Sequence, residues 1–545
     1  NEDPSFNLVR RPQEANQHPV QLPTSDQRAA IDAIKKVAYG HRHRPLVIQA
    51  NRGRGKSSAL GLAAAEIFLS KKFKTIITAP SKKTCEAAFT HYHSAIKSIA
   101  SPSSEEIASF DAGFEFLPLD FILDNNIDCH MLFIDEAAAI PASILNALVG
   151  RFSRVVYSTT IHGYEGNGQG FAIRFKETLD KHYSQWNSLT LNQPIRWLES
   201  DTLEPWFFRF LLLDARLSDV DKNVIPALHT MWISQQTLYE DDDLFEQIIS
   251  LLVTAHYQTS PSDIRLILDH PHVKILISYA NLSTNDASKR IYGVCLVIEE
   301  GGINSIALAN DIISGKRRPR GQLFPQALCA SSGNADFMHQ HTYRVMRIAV
   351  HPAMQQKGIG STLLGELKRS AQEKNIDSLS TSYGLSSELL SFWNKNQFGI
   401  VKLGTKVDGS SGLRSVMMMR AISTPAMQLL TSYTEEFFDT FMFNLNRQHN
   451  LLSTNIIATI IQSMPTKKLM PIKEVALRKI NAFATASRPL EETSMELFYW
   501  LIQMIPSSGW KSLSEDKQEL LISQILQNRD YKNCLKHSIL AGKKQ

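Results

Sequence analysis

The sequence contains few cysteines, no long apolar run and no large excess of charge of either sign. Its five cysteines are scattered along 545 residues and never stand in Cys-x-x-Cys spacing, which argues against a disulfide framework and against a zinc site. No apolar run approaches the roughly 18 residues that a membrane helix needs, and the first residues carry no signal-peptide pattern. We therefore expect a soluble cytoplasmic protein without a membrane partner.

Charge and composition leave several function classes open. The 58 Lys and Arg residues against 53 Asp and Glu give a formal net charge of +5, which permits an RNA partner without predicting one. The hydrophobic fraction of 43% is that of a globular protein. Because single cores stop growing at roughly half this length, we expect several domains. The start at Asn1 rather than Met leaves open whether an upstream portion precedes the chain.

Hydrophobic patterning predicts two α/β regions and a helical end. In the first region, apolar runs of strand length alternate with amphipathic helices, which is typical of a parallel sheet. These runs are residues 46–50, 75–79, 131–134 and 155–158. In the second region, strand-like runs precede a predicted helix at 359–374, and they are residues 273–279, 291–299 and 343–350. Helical periodicity prevails between the two regions, at 198–271, and again after residue 424.

A phosphate-binding loop is predicted where the first strand ends and a helix begins. Residues 50–57 read Ala-Asn-Arg-Gly-Arg-Gly-Lys-Ser, a Walker A motif in which alanine replaces the first glycine. The two glycines allow backbone N–H groups to turn toward phosphate oxygens, while the lysine reaches the β- and γ-phosphates. The residues predicted to bind ATP are Gln27, Arg52, Gly53, Arg54, Gly55, Lys56, Ser57, Ser58, Asp135 and Arg196.

Two acidic residues after a later strand complete this predicted ATPase site. Asp135 is the expected Walker B carboxylate, which holds Mg²⁺ together with Ser57, and Glu136 is the expected catalytic residue that polarises the attacking water. The run Ser-Thr-Thr at 158–160 resembles a helicase coupling motif. Two assignments stay open. Gln27 either reads the nucleotide base or is a solvated helix residue, and Arg196 either touches the γ-phosphate or is structural.

A second phosphate-binding turn follows another predicted strand. Residues 347–352 read Arg-Ile-Ala-Val-His-Pro, and Gln-Gln-Lys-Gly-Ile-Gly at 355–360 then leads into a helix, which matches the Q/R-x-x-G-x-G/A signature of GNAT acetyltransferases. Such glycines let backbone N–H groups approach the CoA pyrophosphate, and the open strand edge can pair with pantetheine amides. The predicted acetyl-CoA residues are Ile348, Ala349, Val350, Gln355, Gln356, Lys357, Gly358, Ile359, Gly360, Ser361, Glu388 and Lys395. Glu388 alternatively only stabilises an early helical turn.

The combination points to chemistry on a structured nucleic acid. An acetyl thioester is already activated, so the ATPase must serve a step other than acetyl transfer. A base inside a stack must be exposed before it can react, at a cost of a few kcal/mol. Hydrolysis of ATP can drive that remodelling.

On these motifs, the sequence resembles the tRNA(Met) cytidine acetyltransferase family over most of its length. The resemblance rests on the runs 52–57, 135–138, 158–171, 193–197, 323–326 and 347–360. It implies acetylation of N4 of the wobble cytidine in elongator tRNA(Met), with acetyl-CoA as donor and coupled hydrolysis of ATP or GTP. Family members usually carry a further N-terminal domain before the phosphate loop, and here Gln355 stands where arginine is common.

The expected architecture is therefore multidomain α/β with a helical end. It comprises an N-terminal extension (1–23), a RecA-like parallel-sheet P-loop ATPase domain (24–225), a GNAT domain with its connector (226–424) and a C-terminal helical bundle that binds tRNA (425–545). No obligate protein partner is evident. The basic turn 316–320 and the mildly basic bundle either contact phosphates or are solvated surfaces.

The amino group of cytidine is a poor nucleophile, so a base that removes its proton during attack should help. His351 is the hypothetical base, although a histidine that merely ends a strand before Pro352 explains the residue equally well. Two other functions stay open: an ATP-driven RNA-remodelling protein, and a protein N-acetyltransferase with a regulatory ATPase.

Overall fold

A six-stranded parallel sheet forms the centre of the first of two units into which the chain divides, with the change at Ala215. The computed structural model describes residues 23–99, 110–163, 166–167, 175, 178–181, 183, 185–213, 215, 217–255, 261–281, 289–408, 413–465 and 472–529. The strands of this sheet lie in the order β3-β2-β4-β5-β1-β8. They are β1 Leu46–Ala50, β2 Thr75–Thr78, β3 Phe114–Phe116, β4 Met131–Ile134, β5 Val155–Thr160 and β8 Asn187–Leu191, with a separate two-stranded pair β6 His162–Gly163 and β7 Gly166–Asn167.

The helices of the first unit bury the strands from both sides. Every residue of β1, β2 and β4 is buried, which is why these runs are apolar rather than alternating. The helices are α1 Ser25–Tyr39, α2 Lys56–Lys71, α3 Glu86–Ile99, α4 Leu119–Asp124, α5 Ala142–Arg151 and α6 Leu203–Phe210, with short 3₁₀ turns at Lys82–Cys85 and Ala137–Ala139. The predicted parallel sheet is confirmed, and two of its strands, β3 and β8, were not predicted.

The second unit is built on a seven-stranded sheet in the order β14-β15-β13-β12-β11-β10-β9. Its strands are β9 His229–Ile233, β10 Val273–Asn281, β11 Lys289–Gly301, β12 His341–Val350, β13 Ser378–Gly384, β14 Gly399–Val407 and β15 Arg414–Ala421. Only β12 and β13 pair in parallel, and the other neighbours are antiparallel. The prediction that helical periodicity prevails at 198–271 was wrong at β9, which lies at the edge of this sheet.

Helices cover this sheet and continue to the end of the described chain. Around the sheet they are α7 Gln235–Glu240, α8 Asp242–Ala255, α9 Pro261–Asp269, α10 Ile306–Ile313, α11 Leu323–Ser332, α12 Asp336–His339, α13 Ile359–Glu373 and α14 Ser387–Lys395, with a 3₁₀ turn Pro352–Met354. The C-terminal helices are α15 Thr424–Asn444, α16 Thr454–Gln462, α17 Glu474–Ala484, α18 Ser494–Met504, α19 Ser508–Lys511 and α20 Glu515–Leu521, followed by a π-helical turn Ile522–Leu526. The C-terminal helices share one apolar core with the sheet, in which Phe438 and Ile461 join Leu367 and Met418.

Two expectations drawn from what the sequence lacks can be compared with the structure. No helix among the described residues is both long and apolar enough to cross a membrane. The four described cysteines, Cys85, Cys129, Cys295 and Cys329, are free. Burial raises the pKa of the Cys85 and Cys295 thiols to about 12, so neither is a thiolate at neutral pH.

Close packing of α2 on α3 generates a prediction about stability. A methyl group at Gly61 would overlap the carbonyl oxygen of Ala88, whereas the same group at Gly150 of α5 would meet nothing within 4 Å. We expect Gly61→Ala to destabilise the first unit by about 1–3 kcal/mol because the helices must separate. Gly150→Ala, the matched control, should stabilise it by up to about 1 kcal/mol through helix propensity. Hydrogen exchange of peptides from α2 measures both, and equal stability of the two variants would contradict the packing argument.

Candidate functional sites

The phosphate loop lies between β1 and α2 and needs glycine at two positions. Gly53 and Gly55 have φ angles of +80° and +75°, in the left-handed region that side chains rarely adopt. A methyl group at Gly53 would also lie 2.6 Å from Cη2 of Trp197, and one at Gly55 would overlap the amide of Gln27. Since α2 begins at Lys56, the loop delivers its backbone N–H groups at a helix N-terminus, as phosphate binding requires.

A buried carboxylate joins the loop to two strands. Asp135 is fully buried and accepts hydrogen bonds from Ser57 Oγ at 2.6 Å, from Ser158 Oγ at 2.7 Å and from the backbone N–H of Glu136 at 3.0 Å. Three donors compensate the charge that burial would otherwise make costly. The structure therefore brings together the two residues predicted to hold Mg²⁺.

A second chain of hydrogen bonds links the predicted lysine and glutamate of the ATPase site. Lys56 Nζ donates to Thr160 Oγ1 at 2.9 Å, and Thr160 Oγ1 lies 3.0 and 3.1 Å from the two carboxylate oxygens of Glu136. Glu136 has a φ of +49°, an uncommon conformation for this residue type and one found at active sites. Thr160 thus bridges the side chains of Lys56 and Glu136 through hydrogen bonds.

Arg54 has a structural role in the loop that its place in the motif did not reveal. Its guanidinium forms an ion pair with Glu204 at 2.7 Å and donates through Nε to the carbonyl of Asn192 at 2.9 Å. It also lies over the ring of Trp197, whose Nε1 donates to the same Glu204 carboxylate at 3.0 Å. Through these contacts, Arg54 fixes the segment that follows β8 against the phosphate loop. Glu204 was not identified from the sequence, because no local pattern marks a partner 150 residues away.

The remaining predicted ATP residues have different environments. The Gln27 amide is almost fully buried, accepts from the Thr24 N–H at 3.0 Å and donates to the carbonyl of Gly55 at 3.3 Å. Gln27 therefore supports the loop backbone and is not a solvated helix residue. Ser58 is buried on α2, whereas Arg52 and Arg196 are exposed.

The second site forms where two strands of the other sheet separate. The pairing of β12 with β13 runs from Thr342 with Ser378 to Val345 with Thr381, and there it ends. On its other side, β12 stays paired with β11 up to Val350, with a bulge next to Val345. The residues that follow Val345, including the predicted Ile348, Ala349 and Val350, therefore have a free edge toward β13, of the kind to which an extended amide chain can bond.

The turn after β12 presents a helix N-terminus beside this free edge. Gly358 has a φ of +88° and Gln356 a φ of +63°, and α13 begins immediately afterwards at Ile359. A methyl group at Gly360 would lie 3.1 Å from Phe392 of α14, so glycine allows close packing there. The N–H groups and dipole of a 15-residue helix favour an anion at this end. The Lys357 ammonium donates to the carbonyl of Lys222, and Gln355 and Ser361 flank the turn.

The two residues predicted on α14 are both exposed. The pKa of Glu388 is lowered, first by a hydrogen bond from its own backbone N–H and then by the Ser386 hydroxyl. These contacts support the alternative role of Glu388 in the first helical turn. Lys395 ends the helix at the surface.

His351 is nearly buried, and both of its ring nitrogens have partners. Nδ1 accepts from the Ala353 N–H at 3.2 Å, and Nε2 lies 3.0 Å from the carbonyl oxygen of Ser218. Burial is the main cause that lowers the pKa of His351, so the neutral imidazole prevails at neutral pH. In this arrangement the proton of the neutral ring is on Nε2, which donates it to the Ser218 carbonyl. To act as a base through Nε2, the ring would have to give up both the Ser218 and the Ala353 contacts and carry its proton on Nδ1 instead.

Some segments named in the sequence analysis contribute to neither site as described. The extension 1–22, parts of the run 158–171 and the end of the bundle from 530 lie outside the described residues. The basic turn Lys316-Arg317-Arg318-Pro319-Arg320 follows α10, and its four cations are exposed.

Comparison with known proteins matches each unit to a family. Residues 47–214 match the model described as RNA cytidine acetyltransferase NAT10/TcmA, helicase domain, and residues 247–374 and 362–423 match GNAT acetyltransferase 2. The chain is 35% identical to the tRNA(Met) cytidine acetyltransferase TmcA of Vibrio cholerae, over 96% of this chain and 70% of that protein. It is 33% identical to the protein of the same name from Nitrosococcus halophilus, over 96% of this chain and 69% of that protein.

The Lys56–Thr160–Glu136 chain predicts a selective defect in hydrolysis. We expect Thr160→Val, which removes the bridging hydroxyl at nearly constant volume, to lower the turnover of ATP by up to about 10²-fold through misplaced side chains. Nucleotide affinity should change much less, because the loop backbone is untouched. Thr159→Val is the matched control, since its hydroxyl makes only a 3.5 Å contact with the carbonyl of Thr160. Steady-state ATPase assays and nucleotide titrations check both, and an equal loss in the two variants would count against this role.

Proposed function

The chain belongs to the tRNA(Met) cytidine acetyltransferase family, and on that premise we propose that it acetylates N4 of the wobble cytidine of elongator tRNA(Met). Acetyl-CoA is the donor, and hydrolysis of ATP or GTP drives the handling of the tRNA. The observation that carries this proposal is the presence in one chain of a phosphate loop bonded to a buried Walker B carboxylate and of a free strand edge that leads to a glycine turn.

The nucleotide site suits a magnesium-bound triphosphate. Ser57 and Asp135 supply a hydroxyl and a carboxylate oxygen within 2.6 Å of each other, which are ligands of the type that Mg²⁺ takes. The ion, when bound, neutralises charge on the phosphates. Lys56 would contact the β- and γ-phosphates, and Glu136 would orient the attacking water. Gln27, Arg54 and Glu204 fix the loop in place.

The second site suits acetyl-CoA. The free edge of β12 from Ile348 to Val350 would pair with the pantetheine amides, and the turn at Gln356 and Gly358 would hold the pyrophosphate at the start of α13. Together these contacts would place the thioester where β12 and β13 separate after Val345.

The reaction forms a bond between N4 of cytidine and the acetyl carbon and breaks the carbon–sulfur bond of the thioester. The amine loses one proton, and the sulfur leaves as the CoA thiol after it takes one up. His351 is proposed as the base that receives the amine proton. The tRNA contacts are assigned to the C-terminal helices and the basic turn at 316–320, and the reaction to the cytoplasm.

Transfer of labelled acetyl from acetyl-CoA to tRNA(Met) transcripts tests the function. Transcripts with cytidine or uridine at the wobble position are compared, with and without ATP, and the nucleosides are then analysed. We expect N4-acetylcytidine only with cytidine and ATP. Hydrolysis of ATP without any acetylated nucleoside would favour a remodelling protein instead.

Two substitutions at His351 separate a base from a structural residue. His351→Asn keeps an oxygen that can accept from the Ala353 N–H but removes the basic nitrogen, whereas His351→Ala removes both. If His351 is the base, both variants should lose about 10²–10⁴-fold in acetyl transfer while CoA binding persists. Near-normal activity of His351→Asn would show a structural role.

The pH dependence supplies a further check on His351. Because its pKa is lowered, the neutral form that can accept a proton persists below the usual histidine pKa of about 6.5. We therefore expect kcat/KM of the wild-type enzyme to decrease on the acid side with an apparent pKa lower than this usual histidine value. An apparent pKa above it would assign the titration to another group.

A further inference from the structure

The edge of the first sheet opposite the phosphate loop is rich in basic residues. Because the strands are parallel, the loops that precede them meet at one edge, which we call the amino edge, formed by residues 40–45, 72–74, 125–130 and 152–154. Backbone contacts hold these loops together: the N–H of His43 donates to the carbonyl of Ser153 at 2.7 Å, and the N–H of His130 to that of Lys74 at 2.9 Å. The loops carry five Lys or Arg residues and a single acidic residue, Asp128.

Several cations at the amino edge, or in the helix turns next to it, are not neutralised by the protein. Within the part of the chain that the structure describes, the side chains of Arg42, Arg44, Lys36 and Lys71 form no ion pair or hydrogen bond. Neighbouring Lys35 and Lys74 are different, since they pair with Glu66 at 2.9 Å and with Glu115 at 3.2 Å. Lys36 and Lys71 lie in last turns of helices, where they also compensate the dipole, but the two arginines lie in a loop.

A cleft with an exposed aromatic ring adjoins these cations. The cleft has a volume of about 1090 Å³, and its lining includes Asp32, Lys36, Tyr39, His41, Arg44 and Asn187. Tyr39 is 43% exposed, and its ring lies 6.2 Å from Phe73, which stacks on His130 at 4.6 Å. Unpaired cations around an exposed ring form a surface that suits phosphates together with stacked bases.

We propose that the amino edge, through Arg42 and Arg44, binds the phosphate backbone of the tRNA together with the adjoining Lys36 and Tyr39 of α1. An anionic membrane would call for an apolar face beside the cations, and the exposed residues 40–43, which are Gly, His, Arg and His, do not provide one. An acidic protein would match the positive charges, but its carboxylates would not stack on the exposed ring of Tyr39 beside the cleft. RNA satisfies both features.

This inference rests on the proposed function and adds a second tRNA-binding surface to it. The loop 40–45 and the phosphate loop lie at opposite ends of β1, whose five residues span roughly 16 Å. RNA at the amino edge and nucleotide at the phosphate loop can therefore be bound at the same time.

The test compares tRNA(Met) binding by the full chain and by an Arg42→Ala/Arg44→Ala variant over a range of salt concentrations. Each lost phosphate contact should reduce the slope of log K against log salt concentration by about 0.7–0.9. We therefore expect weaker binding and a slope that is smaller by roughly 1–2, with unchanged ATP hydrolysis in the absence of RNA. Arg42→Lys/Arg44→Lys should bind nearly as the wild type does, because the charge is kept.

The matched control is Lys82→Ala/Lys83→Ala, which removes two exposed cations after β2, at the other end of the sheet. Equal losses of tRNA affinity in the control and in the arginine variant would overturn the proposal. Such a result would mean that binding depends on the total positive charge of the protein and not on the amino edge. Normal affinity and slope in the arginine pair, with wild-type enzyme active on tRNA, would overturn it while the proposed function stands. Wild-type protein that neither binds nor acetylates tRNA would instead refute the proposed function. Loss of binding to polyglutamate with normal tRNA binding would assign the edge to an acidic protein.

Discussion

The hydrogen-bonded carboxylate of Asp135 is the interaction on which the first unit depends. It lies at the end of β4, with the hydroxyl of Ser57 from α2 on one side and that of Ser158 from β5 on the other. A fully buried charge is tolerated only while its donors are in place, so the position of the helix relative to both strands is tightly fixed. The placement of Lys56 beside Thr160, and of the whole phosphate loop, follows from that constraint.

The site in the second unit depends on strand pairing instead of charge. There β12 remains bonded to β11 but leaves β13 after Val345, and the separated strands create the free edge. Gly358 then opens a helix beside that edge. The two sites use one shared device, a glycine turn that starts a helix at the end of a strand, but one lies in an all-parallel sheet and the other at the single parallel pair of a mixed sheet.

The sequence predicted those parts of the fold that local patterns determine. Strands β1 and β4 were located to the residue because each is a fully buried apolar run. In contrast, β8 and β9 are largely exposed or half-buried and lack a continuous buried apolar run, so their pairing is decided by distant neighbours, and they were missed. The same division holds at the sites. The two glycine turns and Asp135 have recognisable motifs, whereas the Arg54–Glu204 clamp, the support of the loop by Gln27 and the separation of β12 from β13 arise only in the folded chain.

The close approach of Gln27 to Gly55 also restricts how this sequence can drift over evolutionary time. Any side chain at position 55 meets the Gln27 amide as well as a left-handed backbone, so a smaller residue at position 27 would remove only the first of these two obstacles. Gly55 should therefore stay fixed in descendants of this sequence, whatever residue comes to stand 28 positions before it.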